Sequence, residues 1–195
     1  MGRPALIAAA ALVAVGIGLT SYGLIVPVKA WLSVQLLDHA WTRVLAGEGN
    51  ARPWPWMDSE PVARLTFSAT NKPARGAHLS FVVMRGVSGP ILAFAPGWHE
   101  RTALPGESGT TLISAHRDTH FALLKDIARH DRLTLQDRHG RRHVYEVSDM
   151  VVTSEATLNL PKDDTRSRLL LVTCYPLDDW HPSSRQRLVV VADPI

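Results

Sequence analysis

The chain has 195 residues, of which 46% are hydrophobic and 20% charged, and its formal net charge is +3. That length suits one domain with an appendage, and the composition is that of an ordinary globular protein without low-complexity bias. The 21 basic and 18 acidic residues are dispersed with no Lys/Arg run, which argues against a nucleic-acid surface, and the single cysteine excludes an internal disulfide and a zinc site built from paired thiolates.

In chain order, Pro4–Val28 carries no charge and is mostly Ala, Leu, Ile, Val and Gly. About 20 apolar residues cross a bilayer's hydrocarbon core, so residues 1–29 are expected to form a transmembrane anchor. A cleaved signal peptide is the rival. Its apolar core is shorter, and the Val28-Lys29-Ala30-Trp31 sequence that follows here is a poor cleavage site, so an uncleaved anchor is favoured. Arg3 and Lys29 flank the run almost evenly and orient it only weakly.

Residues 30–60 read as a juxtamembrane unit. Trp31, Val34, Leu37, Trp41, Val44 and Leu45 recur at spacings of three and four, which predicts a helix over 30–46 with one apolar stripe. Two readings of that stripe stand side by side: a helix that continues the anchor and packs on the domain, or an interfacial helix with both Trp at headgroup level. Gly47–Asn50 ends it, and Arg52-Pro-Trp-Pro-Trp56 is expected to be a stiff, extended connector.

Residues 61–195 change to short strands. The alternation predicts them over Val62–Thr70, Ala77–Arg85, Thr110–Ala115, Arg132–Gln136, His143–Thr153, Arg168–Thr173 and Leu188–Ala192, with a short helix over Phe121–Ala128 and a turn at Asp137–Gly140. Seven or eight short strands with few helices argue an all-β barrel or sandwich, and closure would protect such apolar strands from edge pairing. The connections 154–167 and 175–186 are long enough to suggest function.

Cys174 follows the strongest apolar strand, and Pro176 stops the ladder after it, so the thiol is expected at a loop mouth. On position alone, a buried structural cysteine is an equal reading. His116 is delivered by the strand before it, and Arg187 opens the last strand. A thiol, an imidazole and a cation are the minimal parts for thiol acyl transfer: nucleophile, proton shuttle and oxyanion donor. The His116/His120 spacing imitates helical zinc ligands, but Arg117 stands where the catalytic Glu of H-E-x-x-H belongs, and a strand precedes His116. No metal site and no cofactor are expected. The HRD triplet lacks the rest of the kinase signature.

Together these residues resemble the sortase family. Leu104-Pro-Gly-Glu-Ser-Gly-Thr-Thr-Leu-Ile-Ser-Ala-His116-Arg-Asp118 is similar to the segment leading to the family's catalytic histidine, Leu170-Leu-Val-Thr173-Cys174 to its TLxTC strand end, and Arg187-Leu-Val-Val-Val-Ala192 to the strand of its essential arginine. The departures are Leu170 for Thr and Ala115 where many members have Gly. Pro53–Trp56 and Pro61–Leu65 look most like the sortases of Gram-negative bacteria. The resemblance implies a closed eight-stranded sortase barrel and a cysteine transpeptidase with catalytic His116, Cys174 and Arg187. It further implies cleavage of an LPxTG-like sorting signal through a thioacyl-enzyme, and transfer to an amine acceptor. It also implies a peptide groove near Ala115 and Thr173, lined by Leu158 and Leu160. The expected partners are a protein bearing a C-terminal sorting motif, an amine acceptor at the cell envelope and the membrane, with no nucleic acid. The expected place is the inner (cytoplasmic) membrane, crossed once, with the catalytic domain extracytoplasmic. Two rivals remain: a non-catalytic anchored barrel that binds a peptide in the same groove, and a sortase that only hydrolyses. A papain-like protease has Cys before His, the reverse of the order here.

Overall fold

The computed structural model describes residues 2–68, 79–154, 167–178 and 185–195. The chain opens with α1 (Arg3–Leu45), a single helix of 43 residues that runs through Pro27. At 1.5 Å per residue it is about 65 Å long. It is long and apolar enough to cross a membrane, and its side chains at Leu12, Val13, Ile17, Leu19 and Tyr22 are exposed. No break separates the apolar stretch from the residues that follow it, and the burial of the last turns bears on the two readings of the stripe. Trp31 is exposed, but Trp41 is buried with Leu37 and Val44 against Val82, Met84, Ile91 and Ala95. An interfacial position for both tryptophans is therefore wrong. The last turns of α1 pack on the domain, and the Arg64 guanidinium reaches Asp38 at 2.5 Å.

The connector is likewise packed rather than extended. Ala51 and Met57 are buried in the same cluster, Trp54 packs on it, and Trp56 alone of this pair of tryptophans is left to solvent.

The strands are β1 (Pro61–Ser68), β2 (Leu79–Arg85), β3 (Gly97–Trp98), β4 (Thr110–Ser114), β5 (Arg132–Asp137), β6 (Arg142–Ser154), β7 (Arg168–Tyr175) and β8 (Gln186–Pro194), with a four-residue helix α2 (Gly89–Leu92) before β3 and a 3-10 turn over Ala122–Lys125. They close into a barrel in the order β1-β2-β3-β4-β7-β8-β6-β5. Alternation sorts the faces, since successive strand residues point to opposite sides. Leu65, Phe67, Val83, Ile113, Leu133, Leu135, Tyr145, Val147, Leu169, Leu171, Val190 and Ala192 fill the interior. A smaller cluster, Leu112, Leu170, Val172 and Val189, lies on the opposite face of β4, β7 and β8. The two-residue β3 and the α2 turn carry too little periodicity to be legible in the sequence.

Candidate active site

The site is built by three adjacent strands. β4 and β7 run parallel with Ser114 opposite Val172. The ladder ends there, so His116 follows two residues beyond the end of β4, whereas Cys174 lies within β7. β7 and β8 run antiparallel with Cys174 directly opposite Arg187. Cross-strand neighbours of this kind stand about 5 Å apart at their Cβ atoms. Cys174 has the parity of Leu170 and Val172, and Arg187 that of Val189, so both share the outer face of the apolar cluster and not the interior. Thiol and guanidinium thus share one sheet face, both half-buried, and exposed His116 follows the end of β4, the strand on the other side of β7. The guanidinium also donates from Nη1 to the Gln186 carbonyl at 3.0 Å.

Short hydrogen bonds tie β7 to the segment leaving β4. The Ala115 amide donates to the Val172 carbonyl at 3.3 Å, and the Thr173 hydroxyl returns to the Ala115 carbonyl at 2.8 Å. Ala115 and Thr173 are buried, 5% and 2% exposed, and on the inward parity. Their visible work is to lock the histidine's strand to the cysteine's. One residue past His116, Arg117 donates from Nη1 to the Pro176 carbonyl at 2.7 Å, which joins the two strand exits. The Phe121 amide donates to the His116 carbonyl at 3.0 Å and closes the turn. Leu158 and Leu160, expected along the groove, lie outside the described residues.

Two further histidines border the site. His99, just past β3, shares a 2.9 Å hydrogen bond with Ser114, one pleat before His116, and burial holds its imidazole below the ordinary range. His120 is also held below that range, by burial first and by the nearby His116, while the Phe94 backbone carbonyl pulls the other way. Neither contact was legible in the sequence, where His120 figured only as half of a spacing that imitates helical zinc ligands. The signal is tertiary: both rings meet partners from other elements.

A loop before β4 is tied down separately. Gly106 has a φ of +89°, and a Cβ there would stand 2.3 Å from the His143 Nε2. That nitrogen is 3.0 Å from Asp137, a buried carboxylate that also takes Arg141 at 2.7 Å. Burial opposes ionisation of Asp137, but the bonds from His143, Arg141 and the backbone amides outweigh it and hold the carboxyl below its usual range.

Chemically, this end of the barrel carries a thiol, an imidazole and a guanidinium on β7, just past β4 and on β8. Comparison with known proteins identifies the domain. A family model for the sortase domain matches residues 73–195. Sortase D of Bacillus subtilis (strain 168) is 27% identical over 94 residues, which is 48% of this chain and 48% of that protein, so the match spans about half of that relative. Among solved structures, a Clostridium perfringens Sortase D5 transpeptidase aligns with a TM-score of 0.58 at 20% identity, covering 81% of this chain and 88% of its own. Sortase A from Corynebacterium diphtheriae aligns with a TM-score of 0.58 at 19% identity, covering 84% of each chain. At these identities the structural likeness establishes the barrel.

Proposed function

The chain belongs to the sortase family, and from that premise we propose that it is a membrane-anchored cysteine transpeptidase acting on an LPxTG-like sorting signal. The observation that supports the reading is Cys174 directly opposite Arg187 on β7 and β8, with His116 following the end of β4, the parallel neighbour of β7. Sγ of Cys174 attacks the carbonyl carbon of the motif's Thr. The C–N bond breaks, and His116 protonates the departing amine, leaving a thioester on Cys174. The incoming amine attacks that thioester, His116 takes its proton, and the thiolate leaves. Arg187 lies beside Cys174 and donates to the oxyanion of both tetrahedral intermediates. The protein substrate carries the motif near its C-terminus, and the acceptor is an amine at the cell envelope.

In this reading α1 crosses the inner membrane once and holds the barrel on the extracytoplasmic side. Its unbroken passage from the exposed apolar stretch to buried Leu37 and Trp41 fits a barrel carried close to the bilayer. Pro53–Trp56 and Pro61–Leu65 support placement with the sortases of Gram-negative bacteria.

Intact-mass spectrometry tests the proposal. The full chain in detergent is incubated with LPxTG-like peptides, with and without a small amine, beside Cys174→Ala, His116→Ala and Arg187→Ala. A thioacyl adduct on Cys174 that the amine resolves is expected. No adduct across a broad panel, with a folded-state thiol inert to alkylation, would sink it in favour of a peptide-binding barrel.

A further inference from the structure

The strand directions and the course of α1 together show which end of the barrel the apolar helix leads to. β2 and β3 run parallel with Met84 beside Gly97, and β3 and β4 antiparallel with Gly97 opposite Ser114. β4 therefore leaves the barrel at the end where β2 enters it. β1 leaves and β5 enters at that end too, since Phe67 lies opposite Leu79 and Ser68 opposite Arg132. His116 follows β4 there, and Cys174 lies next to the last residue of β7, the parallel neighbour of β4. The His120 ring stands edge-on to Phe81, near the start of β2, at 5.5 Å. The β5–β6 turn, beyond Asp137 and its partner Ala63, marks the opposite end.

α1 runs between these ends. Its last residue, Leu45, stands 3.9 Å from the Cβ position of Gly140 in the β5–β6 turn. Asp38 pairs with Arg64, midway along β1. Ser33 is the first buried residue after the apolar stretch. Followed from Leu45 toward its N-terminus, the helix climbs from the turn end to the end that carries Cys174 and continues unbroken into the apolar stretch. At 1.5 Å per residue, Ser33 lies about 8 Å beyond Val28 and Leu45 about 25 Å beyond it. A headgroup layer is about 5–8 Å deep, so burial on the barrel begins where that layer ends. Trp31 is 64% exposed between the two, at the depth where indole rings settle.

We propose that the end of the barrel carrying His116, Cys174 and Arg187 faces the bilayer and rests on the phospholipid headgroups of the membrane that α1 crosses. This rests on the reading of α1 as a membrane span. The surface presented beside the helix is mixed, as an interfacial one must be: exposed Leu79 and exposed Arg132 flank the end of β1 on either side. A bend at Pro27 tilts the barrel without turning it over.

Charge alone argues for the reverse. Arg138, Arg141 and Arg142 are exposed at the β5–β6 turn, with the Arg141 guanidinium held by Asp137. Attraction of such a cluster to anionic lipid falls off within a Debye length, about 8 Å at physiological salt. A helix that holds this turn about 25 Å from the apolar stretch leaves it out of range, so the helix sets the orientation.

The chain's single cysteine allows lone-thiol probes. In the full chain carrying Cys174→Ser, Asp118→Cys marks the one end and His139→Cys the other, both at exposed positions. Each is labelled with bimane and reconstituted at physiological salt in vesicles of phosphatidylcholine, phosphatidylglycerol and a lipid with a headgroup nitroxide. Thr119→Cys and Arg138→Cys repeat the pair should either variant fail to fold. The expected result is nitroxide quenching at residue 118 about threefold or more above that at residue 139, because only the former reaches the headgroup layer. Seven helix-forming residues inserted after Lys29 keep the helix phase to about 20° and lift the barrel about 10 Å, so quenching at residue 118 should fall to that at residue 139. Equal quenching at the two ends, stronger quenching at residue 139, or no effect of the insertion overturns the orientation and leaves the anchor standing. A chain that does not float with the vesicles removes the anchor and the orientation with it. Neither readout depends on turnover.

Discussion

Thr173→Val probes the bond that ties β7 to the segment leaving β4. The Thr173 side chain is 2% exposed, and its hydroxyl donates to the Ala115 carbonyl at 2.8 Å. Valine keeps the shape and removes the donor. The bond itself contributes about 1 kcal/mol net, and a buried carbonyl stripped of its partner costs about 1–3 kcal/mol, so a loss of about 2 kcal/mol is expected. For a chain of this size that lowers Tm by about 4–8 °C. Cys174 and His116 are the next residues on the two strands, so a shift of the order of 1 Å there should slow adduct formation at least tenfold. Thr173→Ser is the control. It keeps the hydroxyl and loses a methyl, costing about 1 kcal/mol with adduct formation largely retained. Tm is followed by near-UV circular dichroism and adduct formation by intact mass. A valine variant with wild-type Tm and wild-type adduct rate would refute the strand-lock reasoning. Wild-type Tm with turnover lost for some peptides and not others would return Thr173 to the substrate-contacting role expected from the sequence.

Cys174→Ala should abolish the peptide adduct, and Arg187→Ala should slow its formation about 10²–10³-fold, the cost of removing an oxyanion donor, with both proteins retaining wild-type Tm. Gly106→Ala combines a left-handed φ with a Cβ overlapping His143, and a Tm drop corresponding to about 2–3 kcal/mol is expected; a Tm within 1 °C of wild type, on the order of a few tenths of a kcal/mol, would show that the loop relocates freely. The pH dependence of stability has two parts. Burial depresses His99 and His120, so from about pH 6.5 downward the unfolded chain binds more protons than the folded one, and stability falls as pH falls; His99→Gln with His120→Gln should flatten that slope in melts taken between pH 5 and 7. Asp137 is depressed too, so its stabilisation is present above about pH 4 and lost on further acidification, and Asp137→Asn should erase this second loss while lowering Tm at neutral pH. A chain begun at residue 30 should fold, whereas one begun at residue 61 uncovers Val82, Met84 and Ile91, and Trp41→Ala in the full chain should cost about 3–5 kcal/mol; equal melts for the two truncations would contradict the packing of α1.

Much of this protein is local, and local order is what a sequence displays. The uncharged run Pro4–Val28 declares an apolar helix by length alone. The alternating strands declare a barrel because each must bury one face. His116, Cys174 and Arg187 each stand at a strand boundary, and their order and motif context were enough to name the family. The short β3 and α2 escaped because two or four residues have no measurable period.

What the tertiary structure decided is how these pieces meet. An apolar stripe suits lipid and a protein surface equally, so only the fold shows that Trp41 faces β2 while Trp31 stays exposed. A Pro/Trp-rich segment reads as a spacer until Phe94 is found against Trp54. Strand register, which depends on contacts far apart in the chain, is what sets the thiol opposite the guanidinium. It also turns Thr173 inward, while packing, not spacing, sets His99 against Ser114 and His120 against Phe81 from elements that share no sequence signal.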